Sequence, residues 1–168
     1  MALFVPENTM LKEVSGDILL SKAQAIAHGV APDDHFNQGL ALSLREQYPA
    51  MAKDFRHYCQ VSHPKPGEIW TWAGADGKRV VNLMTQEAPK SKQSHPGKAT
   101  SHNVNVALRN LRKLAEEEAF TSIALPKLAT GVGGLDWADV KTLIENHLGD
   151  LDIPVYLYTT YRKGESGE

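Results

Sequence analysis

With a single cysteine in 168 residues, Cys59, the chain has no partner for an internal disulfide, and a reducing compartment is expected. No apolar run approaches the roughly 20 residues needed to span a bilayer. The opening Met1–Glu7 has neither the charged start nor the long apolar stretch of a secretory leader. Charge of one sign is also scarce. A net charge of −2 and a pI near 6.4 give no basic surface to displace counterions, so general nucleic-acid binding is not expected. One small anion held by main-chain N–H groups remains compatible with that balance. Among the seven histidines no two have the i, i+4 spacing of a helical zinc pair, and neither a metal nor a cofactor is expected. These absences point to a cytoplasmic protein without membrane association, with a monomer favoured.

What is there reads as globular. Hydrophobic residues make up 42% and charged residues 23%, ordinary values for a packed domain. The length suits one domain, expected over 1–162. The remaining Lys163–Glu168 is polar, lacks an apolar anchor and is expected to be disordered. Short strand-like runs at 10–14, 23–28, 68–72, 79–84, 123–125 and 153–158 alternate with helical patterns at 38–48, 51–59, 100–118 and 136–148. The pair Asp76-Gly77 marks a hairpin, and Val104, Ala107, Leu108, Leu111, Leu114 and Ala115 form the clearest helical stripe. Glu116, Glu117 and Glu118 close that helix where its dipole disfavours negative charge. The expected class is α/β, a three-layer α/β/α sandwich around a mixed sheet of about six strands.

Four segments carry candidate chemistry. In Leu125–Trp137 a strand ends, glycines follow at 131, 133 and 134, and Asp136 is placed to cap a helix. Such a loop can converge N–H groups on an anion at a helix N-terminus. A tight strand-to-helix turn without a ligand explains it equally well. No Lys-Ser or Lys-Thr follows the glycines, and the third glycine of a dinucleotide fingerprint would fall at Asp136, so neither of those phosphate loops is present. In Gly16-Asp17-Ile18 the carboxylate either accepts from an exocyclic amine or makes an ordinary turn. Asp33, Asp34, His35, Asn37, Gln38 and Gly39 lie between a strand end and a helix start, where ligand sites of open α/β sheets form. Asn82–Glu87 delivers Thr85, Gln86 and Glu87 at a strand edge, with Glu87 either a general base or simply solvated. Cys59 and the alternating Trp70 and Trp72 read as core.

Taken in order and spacing, Gly16-Asp17-Ile18, the loop before Gly39, and Leu125-Pro-Lys through Gly134 with Leu135-Asp136-Trp137 resemble the macrodomain family over roughly 10–160. The resemblance is to the branch holding the human terminal ADP-ribose glycohydrolase and the bacterial antitoxins that strip ADP-ribose from DNA. It implies ADP-ribose, or an ADP-ribosylated macromolecule, as partner. Asp17 would hold the adenine amine and Ile18 make a backbone contact to the base. Thr130, Gly131, Val132, Gly133 and Gly134 would wrap the pyrophosphate, and Asn37, Gln38 and Gly39 would face the distal ribose. Tyr158 or Tyr161 would stack on adenine. Where that branch has a catalytic lysine this chain has Gln86, and where the human enzyme has a catalytic aspartate it has Gly133; Lys90 and Lys92 lie nearby. The activity implied is hydrolysis at the distal ribose of a protein, nucleic-acid, acyl or phosphate conjugate, with Asp34, His35 and Glu87 as acid–base candidates. A non-catalytic ADP-ribose reader is the competing expectation. Single-strand RNA binding is a weaker third, given the net acidity.

Overall fold

The computed structural model describes residues 10–168, and Met1–Glu7 lies outside them. Strand β1 (Leu11–Gly16) is followed by one 3-10 turn, Ile18–Leu20, then β2 (Ala25–Val30), α1 (Gly39–Gln47), α2 (Pro49–Ser62), β3 (Ile69–Ala73), β4 (Arg79–Met84), α3 (Ser101–Glu117), β5 (Ile123–Pro126), α4 (Trp137–Leu148) and β6 (Val155–Tyr161). The strands form one sheet in the order β1-β6-β5-β2-β4-β3. All neighbours are parallel except the β3–β4 hairpin, closed at Gly77 with φ +84°.

The central strands are buried on both faces, which is why they read as apolar runs rather than alternating ones. Ala25 and Ala27 of β2, with Val81 and Leu83 of β4, pack under α3 and α4. On the opposite face Val30, Val80 and Met84 pack with α1 and α2. There Phe55 meets Phe36 at 4.9 Å and Trp70 at 5.6 Å between ring centroids. Cys59 is buried in that cluster, and Trp70 and Trp72 lean on it.

Element ends differ from the sequence reading. β1 runs on to Gly16 through an irregularity between Val14 and Ser15, and β2 and β6 sit further along than expected. Helix α3 begins with a capping bond, Asn103 N donating to Thr100 Oγ1 at 3.1 Å. Its acidic end is stabilised by pairing: Glu116 with Arg112, Glu117 with Lys113 and Glu118 with Arg79. Asp136 stands at the N-cap of α4, but its side chain makes no capping bond. The segment expected to be disordered, 163–168, lies instead against β1 and β6. Tertiary hydrogen bonds to a carboxylate replace the missing apolar anchor.

Truncating a wholly buried side chain of α3 loses both transfer energy and contacts around the void. Leu111→Ala is expected to lower unfolding stability by about 2–5 kcal/mol, read from urea denaturation, with the transition remaining cooperative.

Candidate functional site

After β2 the chain moves across the sheet towards β4 and β3; after β5 it moves the other way, to β6. The loops leaving β2 and β5 therefore diverge from neighbouring strands at their carboxyl ends, the setting in which an open α/β sheet forms a crevice. A cleft of about 350 Å³ lies there. Asp34, Gln38 and Gly39 line one wall, Lys127, Leu128, Ala129 and Gly131 to Gly133 the other, and His28 and Gln86 also border it; Thr130 does not.

The wall after β5 is shaped by a few internal bonds. Leu128 N donates to Pro126 O at 2.8 Å, Gly134 N to Gly131 O at 3.1 Å and Leu135 N to Ala129 O at 3.0 Å. Across the site, Ala99 N donates to Gly133 O at 3.0 Å. Two left-handed residues, Ala129 at φ +66° and Gly134 at φ +77°, turn the backbone. The N–H groups of Ala129, Thr130, Gly131, Val132 and Gly133 find no acceptor among the described residues. Consecutive free N–H groups beside a cleft form a cradle for an anion. The Thr130 hydroxyl is turned into its own loop, donating to Lys127 O at 2.7 Å.

His28, on β2, was missed by the sequence reading. It is 1% exposed, borders the cleft, and lies in register with Asn82 of β4. Its Nε2 lies 2.7 Å from Asn82 Oδ1. The Asn82 amide nitrogen donates to Trp70 O at 3.3 Å, so the oxygen accepts and Nε2 carries the proton. Nδ1 is left as an acceptor. Burial, only partly opposed by the bond to Asn82, pulls the pKa from 6.5 down to about 4, and the ring is neutral near pH 7.

Asp34 is held in place by the turn it makes. Its Oδ2 accepts from Ala31 N at 3.0 Å and its Oδ1 from Phe36 N at 2.9 Å. Burial raises its pKa against those bonds. The turn is tight, with Asp33 at φ +57° and Phe36 at φ +52°. Asp34 also borders a second cavity of about 700 Å³, with His35, Arg56 and Lys92.

Of the sequence candidates, Asp34, Gln38, Gly39, Gln86, Gly131, Val132 and Gly133 come together around the cleft. His35 borders the second cavity, and Glu87 and Asn37 are exposed and border neither. Glu87 Oε1 accepts from Asn103 Nδ2 at 3.5 Å. Thr85 is buried beside Gly29, and its hydroxyl has no partner among the described residues. Gln86 Nε2 donates to Gly97 O at 3.0 Å. A side chain at Gly133 would place Cβ 2.6 Å from Ala129 O, so the loop as folded has no room there for the aspartate that the family resemblance implies at this position. Asp17, Ile18 and Tyr158 lie apart from the cleft, around β1 and β6. Asp17 Oδ1 caps the 3-10 turn at Leu19 N, 3.0 Å. Tyr161, the other stacking candidate, is 69% exposed.

Comparison with known proteins places this arrangement. The sequence pattern of the Macro domain matches residues 33–144. The chain is 27% identical over 153 residues to a DNA ADP-ribosyl glycohydrolase of Mycobacterium tuberculosis, covering 88% of this chain and 42% of that protein. The chain thus spans about two-fifths of the length of such bacterial relatives. Human ADP-ribose glycohydrolase OARD1 is 24% identical over 155 residues, with 92% of this chain and 94% of the enzyme covered. Among solved structures, the macrodomain of Thermus aquaticus DarG superposes with a TM-score of 0.77 at 25% identity, covering 89% of this chain and 97% of that one.

The buried histidine gives the site a pH signature. Between about pH 6.5 and 4 the unfolded chain takes up a proton that folded His28 refuses, so stability falls as pH drops through that window. The full loss attributable to His28 is about 3 kcal/mol. Urea midpoints at pH 7 and pH 4.5 should separate more for the wild type than for His28→Gln. Equal separations would show that the ring is not held neutral by burial.

Proposed function

Because the chain belongs to the Macro domain family, we propose that it binds ADP-ribose through the 129–133 loop and hydrolyses an ADP-ribose conjugate at the distal ribose. The observation that carries this reading is the run of N–H groups from Ala129 to Gly133, without acceptors among the described residues, in the loop that lines one wall of the cleft. A diphosphate supplies acceptors for several such groups at once, and each charge-assisted bond is shorter and stronger than a neutral one. Lys127, on the same wall, adds positive charge. The names of the relatives, a DNA ADP-ribosyl glycohydrolase and an ADP-ribose glycohydrolase, support the same ligand.

The chemistry proposed follows from what surrounds the other end of the cleft. Hydrolysis breaks the bond between the anomeric carbon and the attached group while water forms a new one, through a transition state of oxocarbenium character. The fixed Asp34 carboxylate stabilises that positive charge. Neutral His28, through Nδ1, accepts from a ribose hydroxyl or the attacking water. Gln38 and Gly39, which line the cleft, border the distal ribose, with exposed Asn37 next to them in the chain, and Asp17, Ile18 and Tyr158 receive the base. The conjugated group, a protein, nucleic acid, acyl or phosphate moiety, lies in the cavity that shares Asp34 and carries Arg56 and Lys92. The domain works in the cytoplasm and acts as a monomer.

A second reading, a reader that binds without turnover, is favoured by two observations. Gln86 is engaged with Gly97, and the crowding at Gly133 bars an aspartate. Neither of the family's two catalytic groups is replaced in kind at its own position.

Calorimetry with ADP-ribose, AMP, ATP and NAD tests the binding, and incubation with mono-ADP-ribosylated DNA and protein tests the turnover. ADP-ribose is expected to bind tightest; equal affinity for all four would remove the proposal. Binding with no release of ADP-ribose from any conjugate would leave the reader. Gly131 has open space where a Cβ would stand and no positive φ, so Gly131→Val keeps the fold while filling the cradle. It is expected to weaken ADP-ribose about tenfold or more, a loss of roughly 1.4 kcal/mol or more, without moving Tm.

A further inference from the structure

Residues 162–168 are tied to the far side of the site by a specific set of bonds. Arg162 N donates to Gly16 O at 3.1 Å, extending the β1–β6 ladder by one step. Gly164, at φ +75°, turns the chain back. Glu165 O then accepts from Asp17 N at 2.7 Å. Gly167 N donates to Tyr158 Oη at 3.0 Å. This glycine lies flat on Val14 and the tyrosine ring; an added Cβ would come within 2.8 Å of Val14 Cγ2 and 3.0 Å of the ring carbons.

The segment ends in a built receptor for one carboxylate. Glu168 Oε1 accepts from Ser21 Oγ at 2.5 Å, Lys22 N at 2.9 Å and Ala23 N at 3.1 Å. Glu168 Oε2 accepts from the Tyr158 hydroxyl. Ser21 and Tyr158 are both buried. The receiving turn is braced from behind, because Lys78 Nζ donates to Ser21 O at 2.6 Å and to Ala23 O at 2.8 Å. Four donors on one carboxylate, with an ammonium close by, form a charge-assisted cluster.

We propose that Ser21–Ala23 and Tyr158 form a carboxylate-binding site filled by Glu168 of the same chain, and that segment 162–168, so held, occupies the base end of the ligand site. Asp17 and Tyr158, the residues assigned to the base, are the ones this segment covers. An adenine base docks only when the segment leaves, and apparent affinity falls by the fraction of molecules in which it is closed. The phosphate cradle lies on another strand and stays open throughout. The inference rests on the base-end assignment of the proposed function.

Glu168→Ala in the full chain tests it by calorimetry and hydrogen exchange. ADP-ribose should bind about 5–10-fold more tightly to the variant, while ribose 5-phosphate, which has no base, binds both proteins alike. In the wild type, saturating ADP-ribose should speed exchange of the Glu165 and Gly167 amides; in the variant those amides exchange fast without ligand. If the wild type binds ADP-ribose as tightly as the variant and the Gly167 amide stays protected in the complex, the inference is overturned and the proposed function stands. ADP-ribose binding to the variant alone would support it. Failure of both proteins to bind ADP-ribose would overturn the proposed function and this inference together.

Discussion

The backbone between Pro126 and Trp137 has to turn from a strand into a helix within ten residues, and the way it does so governs the site. Two bonds close it, from Gly134 N to Gly131 O and from Leu135 N to Ala129 O, and a third pins Gly133 O to Ala99 N. These spend the carbonyl groups on the loop's interior and leave a row of donors without acceptors. Where such a residue is buried, as Ala129 and Gly133 are, an N–H without a partner costs free energy that an anion or water must offset, while exposed Gly131 and Val132 face solvent. The same closure crowds the position of Gly133 against Ala129 O. One arrangement therefore both opens a cradle and excludes an acidic side chain from its centre.

The opposite wall is governed by a turn around Asp34. Its carboxylate holds Ala31 N and Phe36 N, and Phe36 is thereby driven into the cluster with Phe55. Core packing and site geometry are joined at this residue, so removing the carboxylate would disturb both. Below it, the His28–Asn82 pair bridges β2 and β4 inside the apolar layer. A polar pair there is tolerable because its bonds are made, and the neutral ring leaves one acceptor over at the edge of the cleft.

Much of this was legible in the sequence, for stated reasons. A sheet covered on both faces needs continuous apolar strands, and Val80, Val81, Leu83 and Met84 displayed one whose limits matched β4. The stripe from Val104 to Ala115 matched α3, and two of the glycines after Leu125, Gly131 and Gly133, line the cleft. Other features depend on partners far away in the chain. His28 gains its character only from register with Asn82, 54 positions later, and in isolation it interrupts an apolar run. Glu168 is anchored by Ser21 across 147 positions, so its segment looked unanchored. Glu87 was singled out as a carboxylate at a strand edge, a local property that said nothing about which way the loop would carry it. It borders neither cavity.

The two ends of the proposed ligand are carried by different parts of the sheet. In the proposed binding mode the diphosphate meets the loop after β5, while the base meets residues of β1, β6 and the turn between β1 and β2. β5 and β6 are paired from Ile123 with Val155 to Pro126 with Tyr158, which fixes the spacing between the two ends. Rigid spacing makes the ends additive in affinity, yet each can be tuned alone. A segment that covers only the base end then alters the discrimination between a nucleotide and a bare sugar phosphate, and leaves the cradle untouched. On the proposed reading, selectivity for adenine belongs to β1 at the sheet edge and its neighbour β6, and the capacity for phosphate belongs to the switch point at the sheet's centre.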